Sequence, residues 1–373
     1  MKFGNMKIAF TGDLFLGGDL LGCKDYSSLE IQAFKQADIR VCNLEQGSGD
    51  NQEELNKSTV TAPLKSLSYL TENSINIVSL ANNHIQDKGT DGFEQKIQFL
   101  QDNGIRFTGA GRNIHEASKA IELGDGYFVL SFCTFEKSYL KKVQLATSSE
   151  FGVNPLTFEQ IKKSLDKLPQ HAKAILMLHW GRENVWLPPV SDVSFAKKIL
   201  KLEKVHSIIG MHSHRVQGAI KHQGKQAWFS LGNFLFPNFF VQPRTQMTYP
   251  EPIPDKYHTT KEYHPVFSLT YKMWKWSNRV SLLLMFDTST GNFKRVFVKQ
   301  QKYKPLVKEL NRSTSFFLEI WFSILSAMLN FPRFLYIPFE FMWRKWLTFV
   351  RYFNILTFYI FKERKFFSVL KFR

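Results

Sequence analysis

Five polar clusters in this 373-residue chain carry side chains suited to holding metal ions. Asp13 follows the apolar run Ile8-Ala9-Phe10, and Glu45 closes Asn43-Leu44-Glu45. Asn82-Asn83-His84 follows Ile77-Val78-Ser79-Leu80, His179 follows Ile175 to Leu178, and His212 with His214 follow Ser207-Ile208-Ile209. Two carboxylates, an amide and several imidazoles form the mixed nitrogen and oxygen set that holds Mn, Fe or Zn, and a second carboxylate allows one to bridge a metal pair. One histidine at a strand end is more often structural than a ligand, but five such clusters in succession reverse those odds. Cys23, Cys42 and Cys133 have no CxxC spacing, which argues against a thiolate zinc site or a disulfide framework.

The elements that must position these groups read as an α/β pattern from Lys7 to about Lys299. Strands are predicted at Ile8–Phe10, Ile39–Cys42, Ile75–Leu80, Phe128–Phe132, Ala174–Leu178, Ser207–Ile209 and Ala227–Ser230. Ser27 with Glu30, Asp91 with Glu94 and Thr157 with Gln160 have the spacing of capping boxes, and Gly104 is a natural helix stop. Each polar cluster then sits just past the C-terminal end of a strand, the edge where open α/β sheets bind ligands. Residues 237–265 hold six prolines and predict a long surface loop or lid, followed by hairpin strands over Val266–Lys272, Arg279–Asp287 and Arg295–Lys299.

Taken together, the motifs resemble the CapA (poly-γ-glutamate capsule synthesis) family, which is related to the calcineurin-like metallophosphoesterases. The resemblance rests on Gly12-Asp13-x-x-Leu16-Gly17, Asn43-Leu44-Glu45, Ala81-Asn82-Asn83-His84-x-x-Asp87-x-Gly89, His179-Trp180-Gly181-x-Glu183, Gly210-x-His212-x-His214-x-x-Gln217 and Ser230-Leu231-Gly232-Asn233-Phe234-x-Phe236, in the family's order. It implies a layered, metallophosphoesterase-like sandwich of sheets flanked by helices, with one or two divalent metal ions at the strand ends. By motif, Asp13 and His214 would serve one metal position, Asn83, His179 and His212 the other, and Glu45 would bridge. His84 matches the position of an outer-sphere acid. Asn82, Glu183 and Asn233 would support the site. Three positions depart from the usual patterns: Phe15 stands where phosphoesterases carry a histidine, Ser213 where the family has proline, and Asn184 where an aromatic is usual.

Two functional readings follow. One is a metal-dependent hydrolase of capsule, poly-γ-glutamate or related cell-surface polymer biosynthesis, in which Arg182 and Arg215, next to ligand motifs, hold an anionic substrate. The alternative is a non-catalytic, membrane-bound component of a polymer synthesis and export complex, working with other synthesis proteins around a structural or vestigial metal site.

Charge and the C-terminus add a partner. The chain carries a net charge of +17, which favours anionic partners, yet no recognised nucleic-acid module accompanies it, so no specific nucleic acid is expected. The chain divides into a CapA-like domain over 1–300 and a basic, Phe-rich segment over 301–373. Within the latter, residues 313–373 hold 14 of the 36 phenylalanines. Their apolar runs are interrupted by Glu319 and Arg351 and fall short of the roughly 20 residues a spanning helix needs. Aromatics interleaved with Lys and Arg predict helices lying on an anionic membrane surface. The N-terminus shows no apolar signal region, which places the expected site on the cytoplasmic face, peripheral or monotopic.

Overall fold

Along β1 (Lys7–Leu14), Ile8 and Phe10 enter one hydrophobic core and Ala9 another, as the two-residue period of a strand requires. That alternation runs through the computed structural model, which describes residues 5–23, 29–52, 59–134, 143–241 and 270–361. β2 (Leu29–Glu30), β3 (Ile39–Leu44), β4 (Ile77–Ser79) and β5 (Arg106–Thr108) join β1 in a nine-stranded sheet. A six-stranded sheet follows, made of β6 (Ile121–Gly124), β7 (Tyr127–Cys133), β8 (Lys173–His179), β9 (Val205–Met211), β10 (Ala219–His222) and β11 (Lys225–Trp228). The chain returns to the first sheet through β12 (Asn233–Leu235) and pairs β13 (Phe239–Val241) with β14 (Thr270–Lys272) as a separate ribbon. It completes the first sheet with β15 (Val280–Asp287), β16 (Asn292–Gln300) and β17 (Val307–Glu309).

The architecture is the expected layered sandwich. Ile8, Phe10, Val41 and Ile77 of the first sheet face Val129, Ile175, Met177 and Ile209 of the second, closing the central core. The outer face of the first sheet is covered by α1 (Gly89–Asp102) through Phe93, Ile97 and Leu100. The outer face of the second packs against α2 (Phe158–Asp166) and α3 (Val190–Leu200). The polar row of the first sheet is set by register: β1 and β3 pair Asp13 with Asn43, β1 and β12 pair Asp13 with Asn233, and β3 and β4 pair Asn43 with Ser79. In the second sheet Cys133, His179 and Met211 stand side by side, so His212 leaves β9 level with His179.

The capping readings had mixed outcomes. Thr157 accepts the Gln160 N–H at 3.1 Å and opens α2 as expected, and Gly104 follows α1 with φ +65°. Asp91 does not cap α1. The helix begins at Gly89 and places Asp91 in its first turn, where a carboxylate opposes the helix dipole favourably. Glu30 is a strand residue paired with Lys308 rather than a capping partner, and helix begins at Gln32; Ser27 lies outside the described residues. Pairing with β17 overrides the local signal there. Most of the proline-rich segment, 242–265, also lies outside the described residues.

The C-terminus forms α4 (Arg312–Met328) and α5 (Arg333–Phe361). α4 inserts Phe322 into the central core and Leu325 into the outer one, and Ser326 Oγ accepts the Ala219 N–H at 2.9 Å. Gly218 permits this approach: a Cβ there would lie 2.6 Å from the Ser326 nitrogen. Among the described residues no helix is long and apolar enough to cross a membrane.

A tighter approach occurs beside Asp13. The Asp13 N–H donates to the Gly232 carbonyl at 3.0 Å, and a Cβ on Gly12 would lie 1.9 Å from that oxygen. Gly12→Ala must therefore separate β1 from the turn before β12. It should destabilise the fold by about 1–3 kcal/mol or more, seen as a lower urea midpoint than that of the parent chain.

Candidate metal centre

The C-terminal edges of the two sheets bring the predicted ligands together. Glu45, His179 and His212 each offer a donor atom within 4.8 Å of the others, and so do Asp13, Glu45 and His214, with Glu45 common to both groups. Glu45 Oε1 stands 3.7 Å from His179 Nε2 and 3.9 Å from His214 Nε2. Asn83 Oδ1 lies 2.9 Å from His179 Nε2. Donor atoms bound to one small divalent ion through bonds of about 2.1 Å stand roughly 3–3.5 Å apart; the Glu45 separations are slightly wider, so its neighbours would close a little on an ion, and the Asn83–His179 contact is a hydrogen bond that ion binding would replace.

The polar accounting points the same way. Both Glu45 carboxylate oxygens and His212 Nδ1 are buried without a hydrogen-bond partner, a costly state unless something outside the protein satisfies them. The residues therefore fit a metal centre. Burial raises the Glu45 carboxyl well above the usual carboxylate range, and the neighbouring Asp13 and Glu183 carboxylates raise it further. Burial holds His179 well below the ordinary imidazole range, aided by the other histidines, and pushes His212 down to about 4. Neutral imidazoles are the form that ligates metals.

Each donor is held by a neighbour. Asn43 Nδ2 donates to Asp13 Oδ1 at 2.9 Å and lies 3.3 Å from His179 Nδ1, tying the two sheets together across the site. The His212 N–H donates to Asp13 Oδ2 at 3.2 Å. His214 Nδ1 donates to Asn233 Oδ1 at 2.8 Å, leaving Nε2 as the nitrogen toward Glu45; such outer contacts fix the ring and its tautomer. Asn82 receives the His84 N–H at 3.0 Å on Oδ1 and donates to the Leu44 carbonyl at 2.8 Å, bracing the Glu45 and His84 turns against each other. His84 Nδ1 lies 2.7 Å from Asp87 Oδ2. His212 and His214 both adopt positive φ, +88° and +54°, conformations that cost of order 1–3 kcal/mol for such residues and cluster at functional sites.

Glu183 stands at the rim. Burial pushes its carboxyl upward, but the surrounding imidazoles and the Lys272 ammonium outweigh that and hold it at about 2. The two arginines point elsewhere: the Arg182 guanidinium lies 3.9 Å from Glu340 of α5, and that of Arg215 lies over the Trp186 ring at 4.7 Å. Phe15 packs on Phe236 and Phe239 in a small aromatic cluster that includes Trp274, and the His214 ring contacts both Phe236 and Trp274.

Three groups carry no local sequence mark for these roles. Asn43 lies within Asn43-Leu44-Glu45, but nothing in that motif shows that it bridges Asp13 and His179. Lys272 comes from β14, with its ammonium 4.1 Å from the Trp274 ring, and no local pattern marks it. Lys96 of α1 is wholly buried and donates to the Gln46 carbonyl. Burial lowers its amine to about 7, and it anchors the turn carrying Glu45.

Comparison with known proteins matches residues 7–238 to the family model described as bacterial capsule synthesis protein PGA_cap. The capsule biosynthesis protein CapA of Bacillus anthracis is 24% identical over 182 residues, covering 48% of this chain and 44% of that protein. The PGA biosynthesis protein CapA of Bacillus subtilis (strain 168) is 24% identical over 183 residues, 48% of this chain and 47% of that one. The match thus spans less than half the length of either relative. A solved structure, TT1561 of Thermus thermophilus, aligns over 64% of this chain and 93% of its own with a TM-score of 0.34 and 8% identity.

The ligand geometry predicts a linked proton. Burial and the neighbouring carboxylates favour the protonated Glu45 carboxyl, so protons compete with a divalent ion for it. Calorimetric titration with Mn²⁺ or Zn²⁺ should show binding that tightens as pH rises, with proton release on binding, and Glu45→Gln should weaken both the affinity and its pH dependence. Glu45→Ala and His212→Ala should each lower the metal content of the purified protein by elemental analysis.

Proposed function

The chain belongs to the bacterial capsule synthesis protein PGA_cap family, and from that premise we propose that it is a metal-dependent hydrolase acting on an anionic phosphoester or γ-glutamyl substrate during synthesis of a cell-surface polymer. The observation that carries this reading is Glu45, whose two partnerless oxygens lie between two converging sets of donors. Asp13 and His214 would hold one ion, Asn83, His179 and His212 another, and Glu45 both. A divalent ion bound there supplies Lewis acidity toward a phosphoryl or acyl oxygen and lowers the pKa of water to give a nucleophile near neutral pH.

The protein's own groups supply the rest. The His84 Nδ1–H donates to Asp87 Oδ2, which orients the ring; in the doubly protonated ring, which that carboxylate favours, Nε2–H would give its proton to the leaving oxygen and leave the ring neutral. Lys272, set between the Trp274 ring and the Glu183 and Glu45 carboxylates, presents a cation to an anionic substrate. Asn233 and Asn43 hold His214 and His179 in place, so little reorganisation is needed when charge develops.

A panel of phosphoesters and γ-glutamyl peptides assayed with the metal-loaded protein tests this reading. Turnover of one class should appear and should disappear on chelation. His84→Asn should keep the metal but lower kcat about 10²–10⁴-fold. Full turnover in that variant would remove His84 from the chemistry, and no turnover of either class by the loaded parent protein would remove the hydrolase reading.

A further inference from the structure

The two C-terminal helices lie beyond the residues the family model matches, and together they leave a wide apolar face uncovered. On α4, Phe322 and Leu325 are buried while Phe316, Phe317 and Ile324 are exposed. On α5, Tyr336 is buried, but Phe334 is 72% exposed, Phe349 58% and Trp346 53%. At about 100° per residue, the exposed apolar positions from Ile337 round to Phe339 cover about 200° of the α5 circumference. A seam for a second helix takes two positions in seven, a much narrower stripe.

Charge identifies what covers this face. The two acidic residues within α4 and α5 are both turned to the body: Glu319 pairs with Arg295 at 2.7 Å, and Glu340 lies 3.9 Å from Arg182. Arg333, Arg344 and Lys345 have no acidic partner among the described residues. Lys345 sits among the exposed aromatics, where a long stem can lie along apolar surface and lift its ammonium to a phosphate. Broad apolar face, rings with polar edges and cations without acids form the pattern of a helix lying in the headgroup layer. Among the described residues no helix is suited to crossing.

We infer that α4 and α5 dock the protein flat on an anionic phospholipid bilayer. This goes beyond the proposed hydrolysis and stands without it. The docked helices also grip the loop that follows the ligand His179. Tyr336 Oη donates to the Pro188 carbonyl at 2.6 Å, Trp321 meets Trp186 edge-on with ring centroids 5.6 Å apart, and Arg182 reaches Glu340. Lipid contact and the metal centre therefore share one rigid connection, which fixes the orientation of the site relative to the membrane.

Flotation of the full chain with vesicles tests the proposal. It should float with vesicles of phosphatidylcholine containing phosphatidylglycerol, bind at least tenfold more weakly to phosphatidylcholine alone, and loosen in high salt. Brominated acyl chains should quench its tryptophan fluorescence, a reading on the parent protein that needs no variant. Trp346→Glu with Phe349→Glu should reduce flotation more than tenfold with metal content unchanged. Equal binding to neutral and anionic vesicles, or no quenching by brominated chains, overturns the proposal. So does a dimer in sedimentation that the double variant dissociates while vesicles are ignored, because a second copy would then be what covers the face.

Discussion

A carboxylate taken out of water without a hydrogen bond is among the most expensive things a fold can contain, and Glu45 holds two such oxygens at the centre of this molecule. Its position follows from backbone hydrogen bonding, since its N–H donates to the Leu14 carbonyl at 2.9 Å just past the paired ends of β1 and β3. Everything that meets there is arranged around that cost. Histidines approach from the second sheet, an amide from the turn after β4 and a second carboxylate from β1, each at a distance a shared cation would close. Repulsion from Asp13 and Glu183 raises the cost in the absence of an ion, and attraction to a bound cation would more than reverse it.

The precision of the site comes from the sheets more than from the loops. Because Asn233, Asp13, Asn43 and Ser79 fall in one register row, a slip of one residue would turn them to the opposite face. Asn43 extends that row across the gap to His179, so the spacing between the two sheets is locked by a polar contact as well as by the apolar core below it. The strained backbone at His212 and His214 is held by the same network, through Asp13 and Asn233 respectively. Phe15 packs on Phe236, whose ring meets His214 edge-on, so one side of the site is lined by buried aromatic rings. A lower local polarity strengthens the electrostatic contacts beside them.

The C-terminal helices are built on a different principle. One face of each is consumed by the body, and both acids face basic partners there. What remains outward is aromatic and cationic. Their grip on the loop after His179 links this surface to the centre through packed rings and one hydrogen bond rather than through a long chain of contacts.

The sequence by itself determined the types of candidate donor, their order and their placement after apolar runs, because strand termini and residue chemistry are local properties. It also determined the layered α/β class, since alternation between β-branched runs and amphipathic helices leaves few other ways to bury both faces of a sheet. It misread the helix start at Asp91 and the role of Glu30; at Glu30 the local capping pattern competed with strand pairing to Lys308 and lost. Only the tertiary structure decided that Arg182 and Arg215 turn toward Glu340 and Trp186. It alone brought Lys272 and Lys96 to the site from β14 and α1. Those outcomes depend on which distant segments pack together. A side chain's direction is set by neighbours far away in the chain, as Asn43 and His179 are set by each other across 136 positions.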